Sequence, residues 1–524
     1  MVWALATGVA EARDPEPLAR IPLAPLGFQS LTPESLLDGG SMLTVNFVDH
    51  DHLLITFAVH RLMKREPDQR PDDEDRTIAA ELVDLPTGRL LAQTDWRLHD
   101  HGQYLWPLGN GRFLLRVRDR LSVVAPLASA TDAFRQTPLI TSSRRIIAVQ
   151  VSADADLLTV ESTRHVGPGV ANDVTLVDPT LPDPSQSESA PVQIDFFRLS
   201  STGTAAVALR ATPAAVIRAR VALSLPMTTV GLLNLNNDGR NHWGFNFNEY
   251  TGKVVPLAGF DTTCFPRANF VDHAEFVAFG CRGGTDRQLL AGFNLKGDLM
   301  WQQNFSETIL APAFAFAPTA GRFALARVLT TGAVDEDAPL SPIMVSAQEV
   351  RVFQSYNGRQ LLKVNASPVQ RSGGNFALSD DGLQLAVLRQ RLLSHPQTKE
   401  LDAYTERETA VEIYALPALT DRDQAELKAA KQMAPPDTGA PINQALKRIL
   451  SPNASSEAGA TGEANATTAQ TPLPLEQISP IPSPTSVEPT SAVLGDPLPD
   501  APRPRPTLYG SDEKATESPA TADK

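Results

Sequence analysis

The chain has 524 residues, a net charge of −14 and a pI near 5.2. Its basic runs are as short as 142-SSRR-145 and 502-PRPRP-506, far from the clustered Lys and Arg that phosphate binding demands, so nucleic acid is excluded as a partner. No apolar stretch approaches the ~20 residues that span a bilayer. The 42% hydrophobic content, with 43 prolines and 32 glycines, suits many short strands and tight turns better than a helical enzyme.

Residues 2-VWALATGVA-10 are apolar and lead to Ala10-Glu11-Ala12 and then the polar 13-RDPEP-17. This is the pattern of the end of a secretory signal with an A-x-A cleavage site, although the positive start is missing. Residues 1–12 are therefore read as a signal-peptide remnant and the chain as exported, to the periplasm or the medium. No Cys sits near the site, which argues against a lipid anchor. Residues 13–40 form a lead-in with room for a ring-closing strand.

Asn46-Phe47-Val48-Asp49-His50 recurs as Asn269-Phe270-Val271-Asp272-His273, and each copy precedes a hydrophobic run, 53-LLITF-57 and 276-FVAFG-280. An identity of five residues marks a repeat, which must be recognised before any other fold assignment. Two turn types recur between apolar segments. One carries a glycine, at Gly88, Gly252, Gly297 and Gly358, between two strand-like runs, the signature of a hairpin. The other carries Asp, Ser or Gly, as in 149-VQVSADADLLTV-160, 197-FRLSSTGTAAVAL-209, 314-FAFAPTAGRFALARV-328 and 376-FALSDDGLQLAVL-388, the last turning at Gly382; Asp49-His50 and Asp272-His273 occupy the same place.

In order, the units predict four-stranded blades at about 41–98, 99–141, 142–198, 199–260, 261–306, 307–366 and 367–419, an all-β, seven-bladed β-propeller over 41–419. Eight blades are the alternative, because 205–245 holds more strand-like sequence than one blade needs. The phrase 378-LSDDGLQLAVL-388 resembles the S-x-D-G-x-x-h-A inner hairpin of the broad WD-repeat-like β-propeller superfamily. The Gly-His and Trp-Asp pairs of true WD repeats are missing, so the resemblance implies a fold and no activity. In a propeller the first-to-second and third-to-fourth strand turns share one face. The tight turns fall there, while the long insertions 62–76, 163–173, 329–342 and 392–408 fall on the other. After the ring, 420–433 reads as a short helix capped by Thr420 with Asp423 in the capping-box position. Residues 434–524, rich in Pro, Ser, Thr and Ala, are expected to be disordered apart from a weak helix at 442–450.

Cys264 and Cys281 flank the second repeat copy. A two-residue turn at Asp272-His273 would set them opposite each other on adjacent antiparallel strands, as a non-hydrogen-bonded pair about 4.5 Å apart at Cα, close enough for a disulfide. This fits an exported protein. His99 and His101 are expected to be exposed loop residues. Asp72-Asp73-Glu74-Asp75 and Asp335-Glu336-Asp337 are expected to be solvated charge, lacking the spaced oxygens of a calcium loop. Trp96, Trp106, Trp243 and Trp301 are expected to pack between blades. No nucleophile, zinc, P-loop or dinucleotide signature appears, so no catalytic residue, metal or cofactor is assigned.

The reading is a non-enzymatic, exported, monomeric scaffold that binds a protein or other macromolecule through the insertion face. The alternative is a propeller enzyme (a hydrolase, lyase or quinoprotein-like dehydrogenase) with its site at the central channel, an analogy from fold alone.

Overall fold

The computed structural model describes residues 15–29, 43–59, 63–64, 66, 73–127, 133–164, 192–201, 209–219, 225–237, 240–281, 287–306, 310–332, 340–371, 373–395 and 404–450. The signal-like segment, Asp72, the Asp335-Glu336-Asp337 group and residues 451–524 lie outside them.

Seven antiparallel sheets form the seven blades. Strand β1 (Ala19–Pro22) belongs to the last of them. Blade one holds β2 (Leu43–Phe47), β3 (His52–Val59), β4 (Arg76–Asp84) and β5 (Leu90–Leu98). Blade two holds β6 (Leu105–Pro107), β7 (Phe113–Val117), β8 (Arg120–Val124) and β9 (Gln136–Thr141). Blade three holds β10 (Arg145–Val151), β11 (Leu157–Thr163), β12 (Val192–Ser201) and β13 (Leu209–Ala219). Blade four holds β14 (Gly231–Asn237), β15 (His242–Glu249) and β16 (Val254–Asp261), its innermost strand being reduced to the bridge Met227–Leu232.

Blade five holds β17 (Arg267–Phe270), β18 (Glu275–Cys281), β19 (Arg287–Asn294) and β20 (Leu299–Ser306). Blade six holds β21 (Ala313–Ala317), β22 (Arg322–Thr330), β23 (Val345–Gln354) and β24 (Gln360–Ala366). Blade seven takes β25 (Phe376–Leu378), β26 (Gln384–His395) and β27 (Tyr404–Ala415) from the end of the chain and β1 from its start, with Ala19 opposite Ile413 and Pro22 opposite Ala410. The N-terminal strand thus closes the ring, which removes the exposed sheet edges that an open array would leave.

The blade count agrees with the sequence, but one boundary moves. The segment 197–209, expected to be an inner hairpin of blade four, is the outer hairpin of blade three, where β12 pairs β13. The surplus strand-like sequence that suggested an eighth blade is this long outer hairpin followed by a blade with almost no inner strand.

Packing explains the closure. Seven of the buried apolar clusters lie one at each interface between neighbouring blades, and a small eighth, Leu310 with Val328, sits at blade six. Ile21, Leu23, Val45, Phe57, Leu388 and Ile413 join blades seven and one, for example, while Trp106, Leu121, Ile146, Val160 and Leu199 join two and three. Between blades four and five the cluster is aromatic: Phe276 stacks on Phe293 at 5.1 Å, and Phe245 meets both edge-on at 5.3 and 5.1 Å. Such ring pairs add about 0.5–1.5 kcal/mol each beyond burial. The fully buried Arg322 crosses from blade six to blade seven, donating to Gln354 Oε1 at 3.0 Å, the Gly382 carbonyl at 2.6 Å and the Pro417 carbonyl at 2.7 Å. Trp96 and Trp106 are buried between blades, and Trp301 of blade five stacks on Phe323 of blade six at 6.3 Å. Trp243 instead sits half-buried at the end of β15 and meets the exposed Phe265 edge-on at 5.1 Å.

Two helices follow the ring. Helix α1 (Asp421–Met433) begins with the capping box read from the sequence: Thr420 Oγ1 accepts from the Asp423 N–H at 3.2 Å, and Asp423 accepts from the Thr420 N–H at 2.9 Å. The helix read at 442–450 forms, and together with 434–441, expected to be disordered, it is laid down on the ring. This helix, α2 (Ile442–Leu450), buries Ile442, Ala445 and Leu446 against Val192, Ile194 and Ile217 of blade three and Met227, Leu232 and Tyr250 of blade four. The stunted inner strand of blade four leaves the apolar surface that α2 covers. No helix among the described residues is long and apolar enough to cross a membrane.

Candidate functional site

The innermost turns of the blades cluster on the tight-turn face, and the repeated pentapeptide supplies two of them. In both copies the first turn residue is an aspartate that holds the turn itself. Asp49 Oδ1 accepts from the Asp51 N–H at 2.8 Å, and Asp272 Oδ1 accepts from the Ala274 and Glu275 N–H groups, each at 2.8 Å. The histidine that follows leaves its own blade. His50 Nδ1 lies 3.0 Å from Asp381 of blade seven, and His273 Nδ1 lies 2.6 Å from Asp154 of blade three.

Those two acceptors occupy equivalent turns of their own blades. Ser152 Oγ donates to Asp154 and accepts from the Leu157 N–H; Ser379 Oγ donates to Asp381 and accepts from the Gln384 N–H. Each Asn-Phe-Val-Asp-His turn therefore clasps a Ser-x-Asp turn of another blade. The pairing of blade three with blade five skips blade four, whose inner turn Thr228–Gly231 is short and buried. Likewise the Asn110 N–H of blade two donates to Asp380 of blade seven at 3.0 Å, past blade one.

Electrostatics separate the two clasps. Burial pushes Asp154 up, but the His273 hydrogen bond and charge and the Ser152 hydroxyl outweigh it, so its carboxyl is held below the ordinary value; the Asp154 hydrogen bond in turn raises His273 against its own burial. Burial, aided by Asp154, raises Asp156. In the other clasp, burial and the neighbouring Asp381 raise Asp380, while the Ser379 hydroxyl, the Leu383 N–H and His50 bring Asp381 below its usual range despite burial. Beside this clasp lies a cavity of about 380 Å³, lined among others by Val48, His50, Asn110, Leu127, Asp380 and Asp381. Ligand atoms of Asp154, Asp156 and His273 lie within 4.8 Å of one another, as do those of Asp73, Asp75 and His99. Neither set forms the four-ligand shell of a closed metal site.

The outer tight turns place glycine where the backbone is left-handed, at Gly88 (φ 67°), Gly252 (φ 100°), Gly297 (φ 97°) and Gly358 (φ 66°), as does the inner turn at Gly382 (φ 67°). Only glycine takes this conformation freely. These residues shape the ends of blades one, four, five, six and seven.

Cys264 and Cys281 form the disulfide, with Cα atoms 5.3 Å apart, by a different route from the one expected. Phe270 faces Phe276 and Arg267 faces Phe279, so the turn is one residue longer than Asp272-His273, and the ladder ends before Cys264 is reached. The irregular segment 262–266 absorbs the slip: Thr262 Oγ1 accepts from the N–H groups of Cys264 and Cys281, at 3.3 and 2.8 Å, and draws the two cysteines together.

On the insertion face, the acidic run before β4 is not solvated as expected. Asp73 and Asp75 are nearly buried: Arg118 Nη2 reaches Asp73 at 2.6 Å, Arg97 pairs with Asp75, and His99 Nδ1 lies 2.5 Å from Asp75. His99, expected to be exposed, is the buried centre of this group, whereas His101 is exposed and lies 3.2 Å from Glu74. The arginines at the ends of β5 and β7 turn the acids inward, so the network fixes the base of the 62–76 loop. The long connections of this face lie largely outside the described residues.

One insertion is visible over most of its length. Strands β26 and β27 run on past their sheet: among the described residues the pairs Arg391–Glu408 to His395–Tyr404 have no third strand beside them, giving a ribbon about 16 Å long. Leu392 on it is 68% exposed and Leu393 36%, and Ile343, at the equivalent connection of blade six, is 88% exposed. Sequence spacing placed this segment among loops; the alternation within 404-YTERETAVEIYA-415 was the available signal for a strand.

No family model matches the sequence, and no curated protein matches it. Among solved structures the chain is similar to the acylaminoacyl peptidase of Pyrococcus horikoshii in an orthorhombic crystal form, at 9% identity over 76% of this chain and 55% of that one, with a TM-score of 0.39. It is similar to Kluyvelomyces marxianus Hsv2, at 9% identity over 70% and 96% with a TM-score of 0.31, and to a putative TolB from Agrobacterium tumefaciens, at 10% identity over 63% and 94% with a TM-score of 0.30. Likenesses this distant carry no information about function.

Proposed function

We propose that the chain is an exported scaffold that binds a protein partner through the insertion face of blades six and seven. The observation that carries this reading is the ribbon Arg391–His395 with Tyr404–Glu408, whose edges pair with no other strand among the described residues and whose Leu392 faces solvent. A two-stranded ribbon is marginal by itself, and unpaired strand edges with exposed leucines are what an extended polypeptide segment pairs with. Ile343 of the neighbouring blade adds apolar surface on the same face. The disulfide supports export. Replacing 391–408 by a short glycine turn tests the face: the partner recovered with the parent protein should be lost, and undiminished recovery would sink the assignment.

A second reading, a propeller enzyme working at the channel mouth, is favoured by one feature, the cavity at His50, Asp380 and Asp381. His50→Ala and Asp380→Asn distinguish the two readings, since a scaffold binding through the ribbon is indifferent to both.

A further inference from the structure

A second cavity, of about 440 Å³, lies on the tight-turn face between α1 and blades five and six. Its walls are Asn294, Lys296 and Met300 of blade five, Tyr356 and Asn357 at the outer turn of blade six, and Arg422, Glu426, Ala429 and Met433 of α1. At its base is Glu275, two residues after the second repeat copy.

Glu275 is 4% exposed and lines the cavity. One of its oxygens accepts from the Ser355 hydroxyl at 2.6 Å. No ion pair to it occurs among the described residues, and the charges that act on it are those of Asp272 and Glu426. A buried carboxylate without a cation is costly, and a cation entering beside it would offset that cost. The rim has the opposite character: Lys296 is exposed, and Arg422 lies over the Tyr356 ring at 5.8 Å from its centre. Met300 and Met433 offer flexible apolar surface between the two ends.

We propose that this cavity is a binding site for a small zwitterion, a free amino acid in chemical class. Glu275 and Glu426 take the ammonium group at the base, and Lys296 and Arg422 take the carboxylate at the rim. The volume falls within the ~300–1,000 Å³ range of small-molecule sites. Burial first, then Asp272, pushes the Glu275 carboxyl up to about 7, so an ammonium that ionises it binds more tightly as the pH rises from 6 to 8. The site lies on the face opposite the ribbon and stands or falls independently of the protein-binding reading.

The test is calorimetric titration of the full chain at about pH 8 with each of the twenty common amino acids, ethylamine and propionate. At least one amino acid should bind with Kd below about 1 mM, ethylamine at least ~10-fold more weakly and propionate not at all. E275Q should weaken the amino acid at least ~10-fold and abolish the change in affinity between pH 6 and 8. K296A, at an exposed position that leaves folding intact, should weaken the amino acid while leaving ethylamine unchanged. The proposal is overturned if no amino acid binds, if E275Q binds as well as the parent, or if ethylamine binds as well as the amino acid.

Discussion

The two histidine clasps differ in burial, and this difference sets a measurable energy. His273 and Asp154 expose 35% and 9% of their side chains; His50 and Asp381 expose 54% and 40%. A buried hydrogen bond to a charged group contributes about 1.5–3 kcal/mol, and an exposed ion pair about 0–1 kcal/mol. Since His273 is itself a third exposed, its pairing with Asp154 should contribute about 1–1.5 kcal/mol, and that of His50 with Asp381 about 0.5 kcal/mol or less. The assay is a double-mutant cycle on each pair, His273→Ala with Asp154→Asn and His50→Ala with Asp381→Asn, read by chemical denaturation. His273 is raised from 6.5, so its contribution is complete below that pH and is lost as pH rises through the folded value. Asp154 is lowered from 3.8, so its contribution is complete above that pH and is lost as pH falls through the folded value. The coupling should therefore be greatest between pH 3.8 and 6.5. Equal coupling in the two clasps, or a His273–Asp154 coupling unchanged from about pH 5 to about pH 9, would refute the assignment of the second clasp as the buried, charge-assisted one.

Three further outcomes are expected from the packing already described. Reducing the Cys264–Cys281 bridge, which spans 17 residues, should cost about 3 kcal/mol, so reductant should lower the Tm of the parent and leave a Cys264→Ser/Cys281→Ser variant unmoved. Leu446→Ala, at a fully buried position of α2, should cost about 2–4 kcal/mol locally and expose 434–441 to limited proteolysis while the ring stays folded. Glu275 holds its proton up to about 7 in the fold and about 4.5 when unfolded, so stability should fall as pH rises between those values. Glu275→Gln should abolish that fall and be the more stable protein above pH 7, as thermal melts at about pH 5 and pH 8 would show.

Local patterns were legible where a single blade decides them. Alternating strands, left-handed glycine turns and the Thr420 cap depend on neighbours in sequence and were read directly. The errors have a common physical origin in contacts between distant segments. The Thr/Ala-rich 197–209 looks like any hairpin, and only the stunted blade four that follows decides which blade owns it. The Asp272-His273 turn is one residue longer than a minimal hairpin because Asp272 caps two N–H groups, a slip that Thr262 then absorbs for the disulfide. His99 and its acids looked like a polar loop because the arginines that bury them, Arg97 and Arg118, come from two different blades. The pentapeptide repeat disclosed the fold; that its two histidines each clasp a Ser-x-Asp turn of another blade depends on ring order, which local spacing does not encode.

The central claim is that the insertion face of blades six and seven, led by the ribbon, receives a protein partner. Site-specific photo-crosslinking tests it most directly, with the reactive side chain placed in turn at Leu392, at Ile343 and, as a control on the tight-turn face, at Val254, all three exposed. The same protein should be captured from Leu392 and Ile343 and not from Val254. Capture from Val254 alone, or of unrelated proteins from all three positions alike, would contradict it.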